Sequence, residues 1–187
     1  MKVSRVLRAV LAQAVIVGGI FTVGMAVAPT TASAAHSGMP VYNYVAFLAL
    51  DANTNGLGDG QNGDNIQLWS STYAPNQQWY EQNCDYTSGG VYCEIVNSAH
   101  GLCLDASAPG DGSDGDYVQL WSCWGGANQL WRIPNLPEGP IWNMAHNYVL
   151  DANASGAGSD GDNVQLWQDW GGTNQMWWTS EDCVQNC

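Results

Sequence analysis

The chain has 187 residues and a formal net charge of −13, and three of its four basic residues (Lys2, Arg5 and Arg8) lie at its start, so from residue 35 onward Arg132 alone faces 17 acidic residues, a formal charge of −16. Such a surface repels phosphate backbones and anionic lipid, which argues against nucleic acid and acidic polysaccharide as partners. High charge can also mean disorder, but ten Trp and eight Tyr supply ample apolar surface to bury.

The first segment reads as a leader. Lys2, Arg5 and Arg8 precede an apolar run from Ala9 to Ala28, and Ala32-Ser33-Ala34 supplies the small residues a signal peptidase reads. Residues 1–34 are therefore expected to be a cleaved secretory signal peptide, with an uncleaved anchor as the alternative because the run is almost long enough to span a bilayer. Residues 35–187 are enough for one domain with its own core, expected to be extracellular, monomeric and free of the membrane.

Past a short polar start, the stretches VYNYVAFLALDA, EIVNSAHGLCLDA and IWNMAHNYVLDA open three similar units, at roughly 41–83, 91–134 and 139–180. Each carries an Asn (Asn43, Asn97, Asn143) eight residues before an Asp (Asp51, Asp105, Asp151). A Gln-Leu-Trp triplet follows, ending at Trp69, Trp121 or Trp167, and seven residues later an Asn-Gln-x-Trp group begins at Asn76, Asn128 or Asn174. Short alternating runs separated by Gly, Asp, Asn and Pro predict strands, and no window shows a helical stripe. The spacing of the head aspartates, 54 and 46 residues, suits about four strands per unit. Three units are too few for a propeller, so the expectation is an all-β closed threefold barrel.

Side chains alternate across a strand. In IQLW and VQLW, Leu68, Leu120 and Leu166 should therefore enter the core, with Gln67, Gln119 and Gln165 beside Trp69, Trp121 and Trp167 on the outer face. An amide next to an indole there suits a ligand platform. Trp79, Trp131 and Trp177 are assigned to the core.

Six cysteines in a secreted chain read as three disulfides, with 15 connectivities open to sequence alone. Cys103 and Cys123 occupy repeat positions that hold Ala49 with Ser71 and Val149 with Asp169 elsewhere, so both partners are present together or absent together, as a bonded pair would be. Cys84 with Cys93 and Cys183 with Cys187 are the remaining pairings chosen. The spacings fit no zinc pattern.

The acidic loops (Gly58 to Asp64, Asp111 to Asp116, Ser159 to Asp162) raise a calcium reading, but none follows an EF-hand and Gly-Asp runs are ordinary turn chemistry. No metal or cofactor is expected. His36, His100 and His146 read as surface or packing residues. Glycoside hydrolysis needs two carboxylates at a single site, whereas these acids recur in register, and other catalytic motifs are missing. The expectation is not an enzyme.

These three Gln-x-Trp repeats resemble the ricin B-type β-trefoil lectins, and the resemblance covers about residues 41–179. It implies a β-trefoil with a shallow sugar pocket in each unit. The head Asp takes hydrogen bonds from two sugar hydroxyls, the triplet aromatic stacks on the ring and the Asn adds further bonds, while the two Gln support the Asp and the ligand. By position, the first pocket is Asp51, Gln67, Trp69, Asn76 and Gln77. The second is Asp105, Gln119, Trp121, Asn128 and Gln129, and the third is Asp151, Gln165, Trp167, Asn174 and Gln175.

A carboxylate beside amides satisfies neighbouring hydroxyls, and an indole covers the apolar face of a pyranose. A single such pocket is expected to bind near millimolar, or roughly −4 kcal/mol, with about 10²–10⁴ gained on a multivalent glycan. Neutral galactose- or xylose-type glycans are the expected ligands, and a protein-binding or protease-inhibiting trefoil is the alternative. Thr72 stands where the other units have Trp124 and Trp170, and the first head loop is two residues longer. The first pocket is therefore expected to be the poorest.

Overall fold

A computed structural model describes residues 38–53, 60–107, 112–134, 138–153 and 158–178. The expected leader, His36, the Cys183–Cys187 pairing and parts of two acidic loops lie outside the described residues.

The first unit holds β1 (Tyr42–Asn43), β2 (Ala49–Ala52), β3 (Ile66–Trp69) and β4 (Trp79–Thr87). The second holds β5 (Gly90–Asn97), β6 (Cys103–Ser107), β7 (Tyr117–Trp121) and β8 (Leu130–Arg132). A short extra strand, β9 (Glu138–Gly139), precedes the third, which holds β10 (Trp142–Asn143), β11 (Val149–Ala152), β12 (Val164–Trp167) and β13 (Trp177–Trp178). The four-strand unit is thus recovered three times.

The head strand and the Gln-Leu-Trp strand of each unit form an antiparallel pair in one register. Leu50 faces Leu68 and Asp51 faces Gln67, as Leu104 faces Leu120 and Leu150 faces Leu166. Period-two alternation then sends the leucines and the flanking Ile66, Val118 and Val164 into the core, all fully buried. Asp, Gln and Trp are left together on the other face.

Three clasps close the hairpins around the axis. Gly63 N donates to Leu120 O, Gly115 N to Leu166 O and Gly161 N to Leu68 O, while Leu120, Leu166 and Leu68 return bonds to Asp64, Asp116 and Asp162 carbonyls. The acidic turns are therefore the joints between units. Within each turn the Asp64, Asp116 or Asp162 carboxylate accepts the backbone N–H three residues earlier, the Asx-type chemistry expected of such sequences.

Trp79, Trp131 and Trp177 are buried, as predicted, and each indole N–H donates to the carbonyl just before the head Asp: Leu50 (2.9 Å), Leu104 (2.9 Å) and Leu150 (2.8 Å). A core residue so fixes the backbone on which the Asp stands. Three such units around one axis make the β-trefoil. His100 and His146 lie against Gly60 and Gly112, where any Cβ would collide with the imidazole, so both are packing residues. Cys84–Cys93 and Cys103–Cys123 are bonded as expected. Their sulfurs are thereby removed from two acid-cysteine clusters among the described residues that otherwise have metal-binding spacing.

Candidate functional site

The same polar cluster is built three times. In the first unit Gln67 Nε2 donates to Asp51 Oδ1 (3.0 Å), while Asn76 Nδ2 and Gln77 Nε2 both donate to Oδ2 (2.9 Å each). Around Asp105 the donors are Gln119 (3.1 Å), Asn128 (2.9 Å) and Gln129 (2.9 Å). Around Asp151 they are Gln165 (3.2 Å), Asn174 (2.9 Å) and Gln175 (2.9 Å). The twelve polar residues singled out from the repeats thus fall into three clusters of four. Each Asn-Gln pair sits on a 3-10 turn, Pro75–Gln77, Ala127–Gln129 or Thr173–Gln175, which aims both amides at one carboxylate.

The glutamines have a narrower role than expected. Gln77, Gln129 and Gln175 are buried, and each is a strut: its Nε2 also reaches the carbonyl of Ser70, Ser122 or Gln168, and its Oε1 accepts the N–H of Thr72, Trp124 or Trp170. Gln67 and Gln165 are buried as well, which corrects the picture of a solvent-facing amide beside the indole. Burying a carboxylate among these amides is tolerable only because each is satisfied by the others. The glutamines therefore hold the Asp; all but the half-buried Gln119 present almost no surface of their own.

What stays open is limited. Each Asn uses its N–H groups on the Asp and on the carbonyl of Ala52, Ala106 or Ala152, which leaves its Oδ1 as an acceptor. The Asp carboxylate takes three donors where it can accept about four, so one lone pair remains, on Oδ1. Beside this pair of acceptors stands the indole of Trp69, Trp121 or Trp167, none of them buried. In the first unit these groups line a cavity of about 230 Å³ with Asn53 and Thr72. Burial pushes the carboxyls of Asp51 and Asp151 above the usual range against the opposing effect of their amide donors, and the nearby Asp160 and Asp114 add to the rise.

Two supports were given no role from the repeat pattern. Asn43, Asn97 and Asn143 are buried, and their Nδ2 groups donate to the backbone carbonyls of Asn174 (2.9 Å), Asn76 (2.9 Å) and Asn128 (3.0 Å). Each therefore pins the site turn of the preceding unit, the first closing the ring on the third. Asp160, Asn62 and Asp114 accept the N–H of Ser70, Ser122 and Gln168, the residues just after the platform indoles. The equal spacing of the three asparagines was the signal for the first support; the second carried none, since its donors and acceptors belong to different units.

The model of the ricin-type beta-trefoil lectin domain matches residues 53–177. No curated protein matches the chain significantly. Among solved structures, the chain is similar to the designed threefold symmetric protein ThreeFoil (30% identity, TM-score 0.63, covering 74% of this chain and 94% of that one). It is also similar to an exo-beta-1,3-galactanase from Clostridium thermocellum (29% identity, TM-score 0.65, covering 75% of this chain but 29% of that one). A ricin B-like lectin from Macrolepiota procera, solved in complex with lactose, shares the fold at 22% identity (TM-score 0.52, covering 78% of this chain and 96% of that one).

Proposed function

As the chain belongs to the ricin-type β-trefoil lectin family, we propose that it is a secreted, non-catalytic, monomeric lectin that binds neutral galactose- or xylose-type glycans through up to three pockets. The observation that carries this reading is the threefold cluster itself, in which a carboxylate oxygen and an amide oxygen stand beside an unburied indole. Two acceptors side by side suit vicinal sugar hydroxyls, and the indole suits the C–H face of the ring. The galactose option draws support from the 29% identity to a galactanase. The leader-like residues 1–34 support secretion.

A glycan-array screen with and without EDTA, paired with the triple variant Trp69→Ala, Trp121→Ala and Trp167→Ala, tests the proposal. Selective binding that survives EDTA and vanishes in a folded triple variant is the expected result. Unchanged retention by that variant would sink the platform argument. Absence of glycan binding by a folded wild-type sample would instead favour a protein-binding trefoil.

A further inference from the structure

A cavity of about 730 Å³ outside the three repeated clusters lies where the β4–β5 hairpin faces β8 and β10, lined by Glu81, Ser88, Gly90, Arg132, Pro134 and Trp142 among others. Its volume is within the usual range for small-ligand sites, about 300–1,000 Å³. It breaks the threefold pattern: β4 and β5 are 9 and 8 residues long, while their counterparts β8, β10 and β13 have 2 or 3. The Cys84–Cys93 disulfide staples the hairpin that forms one wall.

Arg132 is the one Lys or Arg after residue 8, in a stretch with 17 acidic residues. Pairing with a neighbouring carboxylate is its expected fate, yet its Nε is buried without a hydrogen-bond partner. The guanidinium instead lies over the Trp142 ring, 5.4 Å from the centroid. Gly90, at φ 131°, makes room for it, since a Cβ there would come within 2.7 Å of Arg132 Cδ. A guanidinium presents five donors in a planar fork suited to a carboxylate. An indole-stacked guanidinium at a cavity wall, whose Nε has no hydrogen-bond partner among the described residues, is suited to an anion from outside.

We propose that this cleft is a fourth ligand site, one that takes a single uronic-acid residue of an otherwise neutral glycan, with Arg132 pairing its carboxylate. The inference rests on the lectin reading for its choice of sugar. The strong negative charge of the domain repels a polyuronide along its whole length, whereas one isolated carboxylate can reach one enclosed cation. Glu81, in the same cleft, opposes that carboxylate; loss of water around it holds its own carboxyl above the ordinary range, which lessens the repulsion at mildly acidic pH.

The test compares methyl β-glucuronide with methyl β-glucoside, which differ only at the carboxylate, by calorimetric titration of the full chain. The glucuronide should bind at least about tenfold more tightly, in keeping with the strength of a charged hydrogen-bond pair. Arg132→Ala should erase that preference while retention on a neutral glycan, carried by the three repeated pockets, stays unchanged and reports a folded protein. Arg132→Lys should fall between, because it keeps the charge and loses the fork, and Glu81→Gln should strengthen glucuronide binding at neutral pH. Equal binding of the two glycosides, or a preference that survives Arg132→Ala, overturns the proposal. So does equal capture of a peptide through its C-terminal carboxylate, which would make the site one for chain ends. If the triple Trp variant keeps the glucuronide but neutral glycans fail to bind wild type, the lectin reading of the repeated pockets falls and the cleft stands.

Discussion

The first and second pockets share one polar cluster and differ in almost everything around it. In the second, the Cys103–Cys123 disulfide ties the platform loop to the head strand, Glu94 Oε1 accepts the N–H of Gly125 (3.1 Å), and Trp124, 65% exposed, lies on Gly126. In the first, Ala49 and Ser71 stand in place of the cystine, and Ser71 Oγ meets Tyr42 OH (3.0 Å) instead. Thr72 replaces the exposed indole, and Ala74 occupies the position where Trp124 and Trp170 need a glycine. Tyr73, at φ 56° and 71% exposed, holds a left-handed conformation that Gly125 and Gly171 adopt without a Cβ penalty. The Thr and the Ala are coupled, since a ring at 72 would strike the Cβ at 74. The lesson is that the carboxylate cluster sets the kind of ligand, whereas the rim sets how firmly each pocket is prepared for it.

The largest expected effect breaks the frame that both pockets share. Trp131→Ala should cost about 3–5 kcal/mol in urea denaturation, by leaving a cavity and freeing the Leu104 carbonyl. Trp121→Ala, at a half-open surface position, should cost under about 1 kcal/mol while removing the second pocket. Comparable destabilisation by both would refute the division into core and platform indoles.

Next in size, Cys103→Ser with Cys123→Ser should lose about 3 kcal/mol through the freed loop. The same change should weaken the second pocket and leave the first untouched, read by titrating each pocket with the other platforms removed. Equal weakening of both would make the disulfide a global staple with no local role.

Acidification tests the charge of the first and third pockets. A pocket carboxylate must be ionised to accept a sugar hydroxyl on top of its three amide donors, and burial raises the protonation point of Asp51 and Asp151. Binding at the first and third pockets should therefore be fully present well above those raised values, and be lost as pH falls through them. The loss should begin above the ordinary aspartate range near 3.9 and amount to about 1.5–3 kcal/mol. The acidic neighbours sharpen this: Asp160 stands by Asp51 and Asp114 by Asp151, while the corresponding clasp beside the second pocket is the neutral Asn62. Asp160→Asn should move the acid limb of the first pocket to lower pH, and an unmoved limb would remove Asp160 from the account.

The smallest effect rebuilds one rim as the other. Thr72→Trp with Ala74→Gly should improve the first pocket by roughly threefold, of the order of a single aromatic contact. Thr72→Trp alone should fail to improve it, because the Ala74 Cβ stays in the way. Equal gains from the single and double variants would show that the two positions are not coupled.

The repeat carried the strands, the inward leucines, the core indoles and the four polar residues of each cluster. Alternation and spacing are local properties, and an antiparallel pair converts them directly into faces. The Cys103–Cys123 pair was legible for a related reason, as two repeat positions changed together. The exposure of the glutamines was misread because alternation assigns a side to a residue and says nothing of what covers that side. Here the neighbouring unit lies across Gln67 and Gln165, bridged to Asn163 and Tyr117, and the side-chain amides turn to the Asp as donors.

By itself, then, the sequence determined a threefold all-β domain and the chemical type of its repeated site, because those depend on periodic apolar burial and on residues grouped within one unit. Only the tertiary structure decided which unit supports which pocket, since Asn43 secures the turn of Asn174 and Asp160 the strand end at Ser70. It alone also placed Arg132 over Trp142 beside the long hairpin. Those arrangements come from closure of the ring, which brings into contact groups that no local period relates.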